Sequence, residues 1–320
     1  MSRPEVLIAG PMLPYVVDGL ESRFTVHKIW EHDDRDAFLA DAGKRIRGVA
    51  CSYTGVDMAL INQLPKLEII SNFGVGYDAV DTKAAAARGI IVTHTPGVLD
   101  DEVADTGLAL MLMCVRELPA AERYLRAGRW VKEGPYPLTR GSLKGRTLGI
   151  LGLGRIGKQV AKRAEACGMS IVYHGRSEQA DVPYRYFASL TEMAKACDVL
   201  ISVAPGGAAT HHIINAAVLS ALGPGGYFVN IGRGSVVDEA ALAEALDRRV
   251  IAGAGLDVYE FEPKVPAALM ACDNAVLLPH VASASIPTRN AMGQLVIDNL
   301  VSWFDTGHPV TPVPETPFKA

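Results

Sequence analysis

Short apolar runs rich in β-branched residues alternate with helix-like stretches over the first ninety or so residues. The β-rich runs lie at residues 6–9, 24–26, 49–51, 67–70 and 90–92. Strands that alternate with helical segments are typical of βαβ units, in which crossover helices join parallel strands. The pattern therefore predicts a mostly parallel sheet in the first part of the chain.

A second series of the same kind follows a polar stretch rich in Gly and Pro at residues 128–145. Before that stretch, apolar positions spaced for one helical face predict a long helix over about 101–118. The β-rich runs of the second series lie at residues 147–151, 171–173, 199–203, 227–230, 253–256 and 275–278. Six such strands make a complete doubly wound sheet, so the fold class predicted is α/β.

The last strong pattern, at residues 287–304, predicts a long helix with Pro287 in its first turn. This helix follows a sheet that is already complete, so we expect it to return and cover the first domain. The length of 320 residues exceeds the usual size of a single core and favours two domains, with one large open sheet as the alternative.

Composition and charge exclude several classes of protein. Apolar residues make up 49% and charged residues 21% of the chain, as in ordinary soluble globular proteins. The formal net charge of -4 gives no sign of nucleic-acid binding. The longest apolar stretch, at residues 108–115, is too short to span a membrane, and the N-terminal residues do not resemble a signal peptide. No membrane association and no export are therefore expected.

The five cysteines are scattered along the chain and mostly lie in apolar runs. An odd, scattered set of this kind indicates reduced core residues and a cytoplasmic protein. We find neither a CxxC motif nor a Cys/His cluster, so the sequence predicts no metal site.

A glycine-rich turn of the GxGxxG type follows the apolar strand that ends at Leu151. Its residues are Gly152, Leu153, Gly154, Arg155, Ile156 and Gly157. The motif alone is weak evidence, but here it lies between a strand and a helix, with a second strand ending at His174. In that order, backbone N–H groups at the helix N-terminus can face a pyrophosphate. The sequence therefore predicts a dinucleotide site, with a merely structural tight turn as the alternative.

The end of the second strand distinguishes between the two nicotinamide dinucleotides. Where NAD-specific sites usually carry an acidic residue, this chain has Gly175, Arg176 and Ser177. Glycine leaves room for a 2′-phosphate. The arginine guanidinium can bind the phosphate through paired charged hydrogen bonds, and the serine hydroxyl can donate a further one. NADP(H) is therefore the preferred cofactor, although NAD(H) binding without the usual acid, with Arg176 exposed to solvent, stays open.

Three ionisable residues follow three separate strands of the second series: Arg233, Glu262 and His280. A small carboxylate substrate needs a bidentate partner such as arginine. Reduction of a ketone also needs a proton donor, and histidine is suited to that role near neutral pH. A carboxylate on the far ring nitrogen would fix the histidine tautomer. Each residue alone is more often an ordinary surface residue, but together they predict an active site at the carboxyl ends of the strands.

Over nearly its whole length the chain resembles the D-isomer-specific 2-hydroxyacid dehydrogenase family. The motifs that carry the resemblance lie at residues 151–157, 230–234, 253–263 and 278–280. The chain is most similar to the branch of glyoxylate/hydroxypyruvate and hydroxyphenylpyruvate reductases, chiefly because of residues 175–177 and 95–99.

The resemblance implies a role for each residue of the catalytic set. Arg233 would hold the carboxylate and carbonyl of the substrate and also lie beside the cofactor, and His280 would donate the proton. Glu262, rather than Glu260 on the same loop, would support His280. Asp257 would approach the nicotinamide end of the cofactor, and the alternative is that it caps the loop that follows its strand.

Further contacts are also expected from the resemblance. Pro205 and Ile231 would contact the cofactor, although residues 204–210 depart from the usual family pattern. The backbone N–H groups of Val75 and Gly76 would bind the substrate carboxylate as a small anion nest, with a plain turn as the alternative. From their position alone, Ser52 and Tyr53 line the substrate pocket.

The resemblance implies a Rossmann dinucleotide-binding domain inserted into a flavodoxin-like substrate-binding domain. The predicted ranges are 1–98 with 287–320 for the substrate domain and 99–286 for the dinucleotide domain. A homodimer is expected, with Trp130 or Tyr136 near the partner. Three functions remain open: an NADPH-dependent reductase of 2-oxo acids, an NAD-dependent dehydrogenase that oxidises 2-hydroxy acids, and a dinucleotide-sensing protein without turnover, like the corepressors of this family.

Overall fold

A computed structural model describes residues 3–318 of the chain. Two compact units are present. One unit consists of two chain segments, the first ending at Leu99 and the second beginning at Ser285. The other unit runs from Asp100 to Ala284. Each unit is built on its own parallel sheet, so the prediction of an α/β protein with two such sheets is confirmed.

The first unit contains a five-stranded sheet in which each neighbouring pair of strands is parallel. Its strands are β1 (Glu5–Ile8), β2 (Thr25–Lys28), β3 (Ile46–Cys51), β4 (Ile69–Asn72) and β5 (Ile91–Thr93). The strand order is β2-β1-β3-β4-β5, the flavodoxin-like order. Strand β4 is buried along its whole length, as expected for a parallel strand covered on both faces.

Four short helices connect these strands: α1 (Pro14–Arg23), α2 (Arg35–Ala42), α3 (Met58–Gln63) and α4 (Thr82–Ala87). An aspartate stands before each of the last three helices and accepts a hydrogen bond from a backbone N–H of the first turn. These aspartates are Asp34, Asp57 and Asp81. Such N-caps satisfy donors that the helix itself cannot pair, which explains why the helices begin at these residues.

The final helix, Ile286–Thr306, belongs to the first unit, as the pattern of the sequence predicts. Ser285 caps its N-terminus by accepting from the N–H of Thr288, and Gly307 ends it in the left-handed conformation. The helix packs against β4, where the hydroxyl of Ser71 donates to the carbonyl of Val296 at 3.2 Å.

The second unit contains a seven-stranded sheet, again parallel between each neighbouring pair. Its strands are β6 (Thr147–Leu151), β7 (Ser170–His174), β8 (Arg185–Tyr186), β9 (Val199–Ser202), β10 (Tyr227–Asn230), β11 (Gly253–Leu256) and β12 (Ala275–Leu277). The order β12-β11-β10-β9-β6-β7-β8 reverses direction between β6 and β9. Ligands of doubly wound sheets bind in the crevice at such a switch point.

The helices of the second unit are α5 (Asp100–Val115), α6 (Leu118–Arg126), α7 (Arg129–Glu133), α8 (Arg155–Ala166), α9 (Leu190–Lys195), α10 (Ala216–Leu222), α11 (Glu239–Asp247) and α12 (Ala267–Met270). The helix predicted over about 101–118 ends earlier, because Glu117 adopts a left-handed φ of 52° and α6 begins just after it. Helix α7 lies within the stretch that the sequence analysis treated as irregular. None of the helices in residues 3–318 has both the length and the apolar character that crossing a membrane would require.

Candidate functional site

The glycine turn after β6 is shaped by close backbone contacts. Gly152 has a φ of +95°, and a Cβ there would lie 3.1 Å from the backbone of Val203 and Ala204. A Cβ on Gly157 would lie 2.4 Å from the carbonyl oxygen of Gly152. Nothing lies within 4 Å of a Cβ on Gly154. Two glycines are therefore required by packing, whereas the third leaves an open surface that a ligand can approach closely.

Helix α8 opens directly from this turn with unpaired donors. Its N-cap, Gly154, has no side chain to cap the helix, and its carbonyl accepts from Lys158 N at 2.9 Å. The N–H groups of the first turn, including those of Arg155 and Ile156, have no acceptor within the helix. Together with the helix dipole they suit a phosphate group. Leu153 is buried, and the guanidinium of Arg155 lies 3.5 Å from the Asp100 carboxylate.

The loop after β7 is held in place by buried and half-buried side chains. The buried hydroxyl of Tyr173 accepts from Gln179 N at 2.7 Å, and the Gln179 amide donates to Leu153 O at 2.8 Å. The second of these bonds ties the loop to the glycine turn. Arg176 and Ser177 are exposed on this anchored loop, and within residues 3–318 no side chain or backbone group pairs with Arg176. The guanidinium is therefore available to a ligand.

The loops after β9 and β10 lie beside the glycine turn. A Cβ on Gly232 would lie 2.6 Å from the carbonyl oxygen of Ala204. Pro205 is exposed, and its carbonyl accepts from the Thr210 hydroxyl at 2.7 Å. Ile231 is buried. Pro205 therefore presents a surface that a cofactor could contact, while Ile231 lies within the packed part of the unit.

Asn230 shapes the loop that carries Arg233. Its fully buried amide donates to Arg233 O at 2.9 Å and accepts from Gly232 N at 3.1 Å. The Arg233 guanidinium donates to Gly232 O at 2.8 Å. A Cβ on Gly234 would lie 1.8 Å from the carbonyl carbon of Tyr259. The arginine loop therefore packs backbone to backbone on the loop after β11, which is possible only with glycine at this position.

Asp257, at the end of β11, holds the loop that carries His280. Its carboxylate accepts from Val281 N at 2.8 Å and from Ala282 N at 2.9 Å, and its carbonyl accepts from His280 N at 2.8 Å. Burial raises the pKa of the Asp257 carboxyl, although the two backbone hydrogen bonds oppose that effect. These hydrogen bonds go to the loop after β12, whereas the loop-capping alternative concerns the loop that follows β11. Its approach to a cofactor stays a prediction.

His280 and Glu262 form a hydrogen-bonded pair. Nδ1 of His280 lies 2.7 Å from Oε2 of Glu262, and the other carboxylate oxygen accepts from Tyr259 N at 2.9 Å. Burial opposes the ionisation of Glu262, but the hydrogen bonds from His280 and Tyr259 outweigh it and lower the pKa of the Glu262 carboxyl. A carboxylate on Nδ1 leaves Nε2 as the ring nitrogen that can donate a proton to a substrate.

The structure separates the two glutamates that lie on the loop after β11. Glu260 does not pair with His280; its carboxylate lies 3.0 Å from Nε2 of His212 and 3.3 Å from Nε2 of His211. The choice of Glu262 as the partner of His280 therefore agrees with this geometry. Sequence reasoning missed both histidines, which lie far from Glu260 along the chain.

In the first unit, carbonyl groups of the loop after β4 accept hydrogen bonds from side chains. The Asn72 amide donates to Gly74 O at 3.2 Å and to Gly76 O at 3.0 Å, and Nδ1 of His94 lies 2.9 Å from Val75 O. Within the described part of the chain, the N–H groups of Val75 and Gly76 have no acceptor. Two adjacent free amides are what an anion nest requires.

Two further residues predicted from position alone lie in the first unit, just after β3. Ser52 is half-buried, and Tyr53 is 69% exposed. Both are accessible enough to contact a ligand. Sequence reasoning also missed Asn230 and Gln179; Asn230 directly precedes the arginine motif, whereas nothing in the sequence marks Gln179.

Comparisons with known proteins identify relatives over nearly the whole chain. The NAD-binding domain of D-isomer-specific 2-hydroxyacid dehydrogenases matches residues 108–282. Glyoxylate/hydroxypyruvate reductase A of Arabidopsis thaliana is 42% identical over 96% of this chain and 98% of its own. Hydroxyphenylpyruvate reductase of Plectranthus scutellarioides is 44% identical over the same shares of the two chains.

Solved structures agree with these sequence relatives. An NADPH-dependent glyoxylate/hydroxypyruvate reductase of Sinorhizobium meliloti, in complex with NADP and malonate, has a TM-score of 0.94 and 52% identity. The match covers 100% of this chain and 99% of that one. A 2-hydroxyacid dehydrogenase of Ketogulonicigenium vulgare has a TM-score of 0.92 and 44% identity, over 98% of this chain and 99% of that one. The family resemblance seen in the sequence is confirmed.

Proposed function

Because the chain belongs to the D-isomer-specific 2-hydroxyacid dehydrogenase family, we propose that it reduces a small 2-oxo acid of the glyoxylate or hydroxypyruvate type with NADPH, giving the D-2-hydroxy acid. The observation that carries this proposal is the 2.7 Å pair of His280 with Glu262. Glu262 lies on the loop after β11, which packs directly against the loop of Arg233. A proton donor, its supporting carboxylate and a guanidinium are thus held on adjoining loops.

The residues present fit a dinucleotide. The open face at Gly154 and the unpaired N–H groups at the start of α8 suit its pyrophosphate, and NADPH, when bound, supplies the hydride. We assign Arg233 to the carboxylate of the substrate, because a guanidinium matches a carboxylate with two parallel hydrogen bonds. His280 donates a proton from Nε2 to the carbonyl oxygen, and Glu262 holds the ring through Nδ1.

The first unit contributes a second anion site to this proposal. The N–H groups of Val75 and Gly76 would bind the substrate carboxylate, because the surrounding carbonyls are already paired with Asn72 and His94. Ser52 and Tyr53 would contact the side chain of the substrate. A Ser52→Ala variant should change KM for hydroxypyruvate relative to glyoxylate; an unchanged ratio removes Ser52 from the pocket.

The choice of NADPH rests on Arg176 and Ser177. Both are exposed on a loop that Gln179 and Tyr173 hold beside the glycine turn. An available guanidinium suits the 2′-phosphate of NADPH, and no acidic side chain occupies the strand end where NAD-specific sites carry one. The Sinorhizobium relative is an NADPH-dependent enzyme solved with NADP, which supports the same choice.

The experiment that tests this function is a kinetic screen of glyoxylate, hydroxypyruvate, pyruvate and phenylpyruvates with NADPH and NADH. The Arg176→Ala variant should weaken the preference for NADPH by about tenfold, since a charged hydrogen bond at an exposed site is partly screened by water. Arg248→Ala is the matched control, because Arg248 is an exposed arginine of the same unit, just after α11, and it pairs with Glu244.

Each outcome of this screen bears on the proposal. An NADPH/NADH ratio that is unchanged in Arg176→Ala would refute the cofactor assignment in favour of NAD(H). Absence of turnover with every 2-oxo acid, together with tight NADPH binding, would favour a dinucleotide-sensing protein. Faster oxidation of 2-hydroxy acids with NAD than reduction with NADPH would favour the dehydrogenase alternative.

The exposed apolar residues before the glycine turn support a homodimer. Leu125, Trp130, Val131 and Leu138 are exposed on and after α6 and α7, with Val131 at 94% and Leu138 at 100%. Apolar residues of this size concentrated on one segment favour a protein interface, and a second copy of the chain is the partner we propose. Tyr136 is part-buried and pairs with Glu117, so Trp130 is the better candidate for the interface.

Light scattering tests the dimer. A Leu138→Glu variant should shift the molar mass towards that of one chain, whereas Val310→Glu, at an exposed valine of the first unit, should not. A monomeric parent protein would exclude the dimer outright.

A cytoplasmic location is also proposed. The five cysteines are unpaired in the structure, and three of them are buried. Unpaired cysteines are typical of proteins that fold in a reducing compartment. Fractionation of cells that produce the protein tests the location.

A further inference from the structure

Two histidines and a glutamate come together beside the loops that carry Arg233 and Glu262. His211 and His212 follow β9 and its loop, and Glu260 follows β11. One carboxylate oxygen of Glu260 lies 3.0 Å from Nε2 of His212 and 3.3 Å from Nε2 of His211. The three donor atoms lie within 4.8 Å of one another. The two ring nitrogens therefore lie next to the same carboxylate oxygen.

The positions of Glu260 and His212 are fixed by the backbone around them. The N–H of Glu260 donates to the carboxylate of Glu239 at 2.9 Å, and Glu239 is only 7% exposed. The N–H of His212 donates to Ser235 O at 2.9 Å, and His212 has a left-handed φ of 49°. A non-glycine residue adopts that conformation at a cost, so the surroundings must hold it there.

The local charge favours a cation. The Glu260 carboxylate places a negative charge beside both imidazole rings. A neutral imidazole offers a lone pair at Nε2 once its proton is placed on the other nitrogen. Metal ions displace such protons when they bind.

We propose that His211, His212 and Glu260 form a binding site for a divalent transition-metal ion of the zinc class. Bonds of about 2.0–2.2 Å from such an ion to nitrogen and oxygen place neighbouring ligand atoms roughly 2.8–3.6 Å apart, for angles between octahedral and tetrahedral. The distances of 3.0 and 3.3 Å fall in that range. Imidazole ligands select Zn²⁺, Co²⁺, Ni²⁺ or Cu²⁺, whereas Mg²⁺ and Ca²⁺ prefer oxygen.

One movement is required for the ion to bind. The rings of His211 and His212 are stacked, with centroids 3.9 Å apart and planes 21° apart, so their lone pairs run side by side. Rotation of the His211 ring would turn its Nε2 towards an ion held by His212 and Glu260. The His211 side chain is 55% exposed, so more than half of its surface is in contact with solvent.

This site carries no signal in the sequence, because the ligands are distant in the chain. His212 and Glu260 are separated by 48 positions, and the spacing matches no short metal-binding motif. The site is separate from the His280–Glu262 pair, although Glu260 lies two positions before Glu262. Metal binding at this cluster does not depend on the proposed reaction.

The test is a titration of the chelator-treated protein with Zn²⁺ by calorimetry, and with Co²⁺ by its visible absorption. One ion per chain is expected, with a Co²⁺ spectrum typical of nitrogen and oxygen ligands and no binding of Mg²⁺. His211→Gln and Glu260→Gln should each raise the Kd for Zn²⁺ at least about tenfold, since even residues that only hydrogen-bond to the ligands of a metal contribute that much to its affinity. His211 is exposed, so its replacement should not disturb folding.

Two control variants distinguish this site from others in the same chain. His308→Gln removes an exposed histidine of the first unit, and His280→Gln removes the other histidine that pairs with a glutamate in the second unit. Both should keep the Kd of the parent protein for Zn²⁺. Absence of binding to the parent, or binding that is undiminished in both His211→Gln and Glu260→Gln, would overturn the proposal. Thermal melting of each variant without metal verifies that it is folded.

Discussion

The replacement Glu262→Gln isolates the role of charge in the histidine–carboxylate pair. Glutamine has almost the same shape as glutamate, and its amide oxygen can still accept from Tyr259 N, which lies 2.9 Å away in the parent protein. The bond at 2.7 Å to Nδ1 of His280 changes character. An amide cannot balance the positive charge of a protonated imidazole, so the proton donor is held less favourably.

The magnitude follows from the exposure of the two side chains. The side chains of His280 and Glu262 are 30% and 29% exposed, so water screens their interaction only in part. A hydrogen bond to a charged group contributes about 1.5–3 kcal/mol in such surroundings. At 1.36 kcal/mol for each factor of ten, that energy corresponds to a fall in kcat of about 10- to 150-fold.

The assay is steady-state reduction of glyoxylate or hydroxypyruvate with NADPH at pH 7. We expect kcat to fall while KM for NADPH stays nearly constant, because Glu262 contacts neither the glycine turn nor the loop of Arg176. Glu5→Gln is the matched control, since Glu5 forms a 2.8 Å pair with His27 in the first unit. That variant should keep the kcat of the parent enzyme.

Two results would refute this reasoning. Undiminished kcat in Glu262→Gln would show that the charge has no role in proton transfer, and a larger loss in Glu260→Gln would assign the role to the other glutamate.

The same variant has a second readout in stability. Because the pKa of Glu262 is lowered in the folded protein, its ionisation stabilises the fold above the ordinary value of 4.5. That contribution is lost as pH falls through the lowered pKa. The difference in unfolding free energy between parent and Glu262→Gln should therefore shrink below pH 4.5.

Three further variants test the surroundings of this pair. His280→Ala should lower kcat by about 10²- to 10⁴-fold while leaving NADPH binding, measured by fluorescence, nearly unchanged; unimpaired turnover would remove the histidine from its role. Asp257→Asn should lower the free energy of unfolding in urea by about 1–3 kcal/mol. The amide nitrogen of asparagine donates hydrogen bonds and does not accept them, so one of the two backbone N–H groups would lose its partner. Gly234→Ala should lower the free energy of unfolding by about 1–3 kcal/mol or more, because the added Cβ would overlap the backbone of Tyr259. Gly225→Ala, where a Cβ meets nothing within 4 Å, is the control, and equal losses would contradict the packing argument.

The sheets could be predicted because apolar periodicity reports burial directly. Strands β9 and β10 are fully buried, and in the sequence each is a run of three apolar residues followed by one polar residue. Strand β8 has only two residues and pairs at the edge, so no periodicity can mark it. The first helix of the second unit was predicted too long, because the left-handed residue that ends it, Glu117, carries no strong signal of that conformation.

The site could be predicted only as far as chain order determines it. The carboxyl ends of parallel strands meet at one edge, so Arg233, Glu262 and His280 were expected together from their positions after strands. Chain order alone could not show which glutamate faces His280, since Glu260 and Glu262 share one loop, and the choice of Glu262 came from the family resemblance. Glu260 is hydrogen-bonded to His212, 48 positions away, and such a pairing depends on tertiary contacts alone.

The arrangement of the catalytic loops rests on backbone packing as much as on side-chain contacts. Gly234 brings the arginine loop onto the backbone at Tyr259, and the N–H of Tyr259 in turn holds Glu262. Asp257, on the same strand end, anchors the loop of His280 through two backbone N–H groups. Each reactive side chain is thus positioned by the segment that follows β11. A displacement of that segment would move the arginine, the glutamate and the histidine together, which explains why a glycine that touches no substrate should be as sensitive to substitution as the catalytic pair.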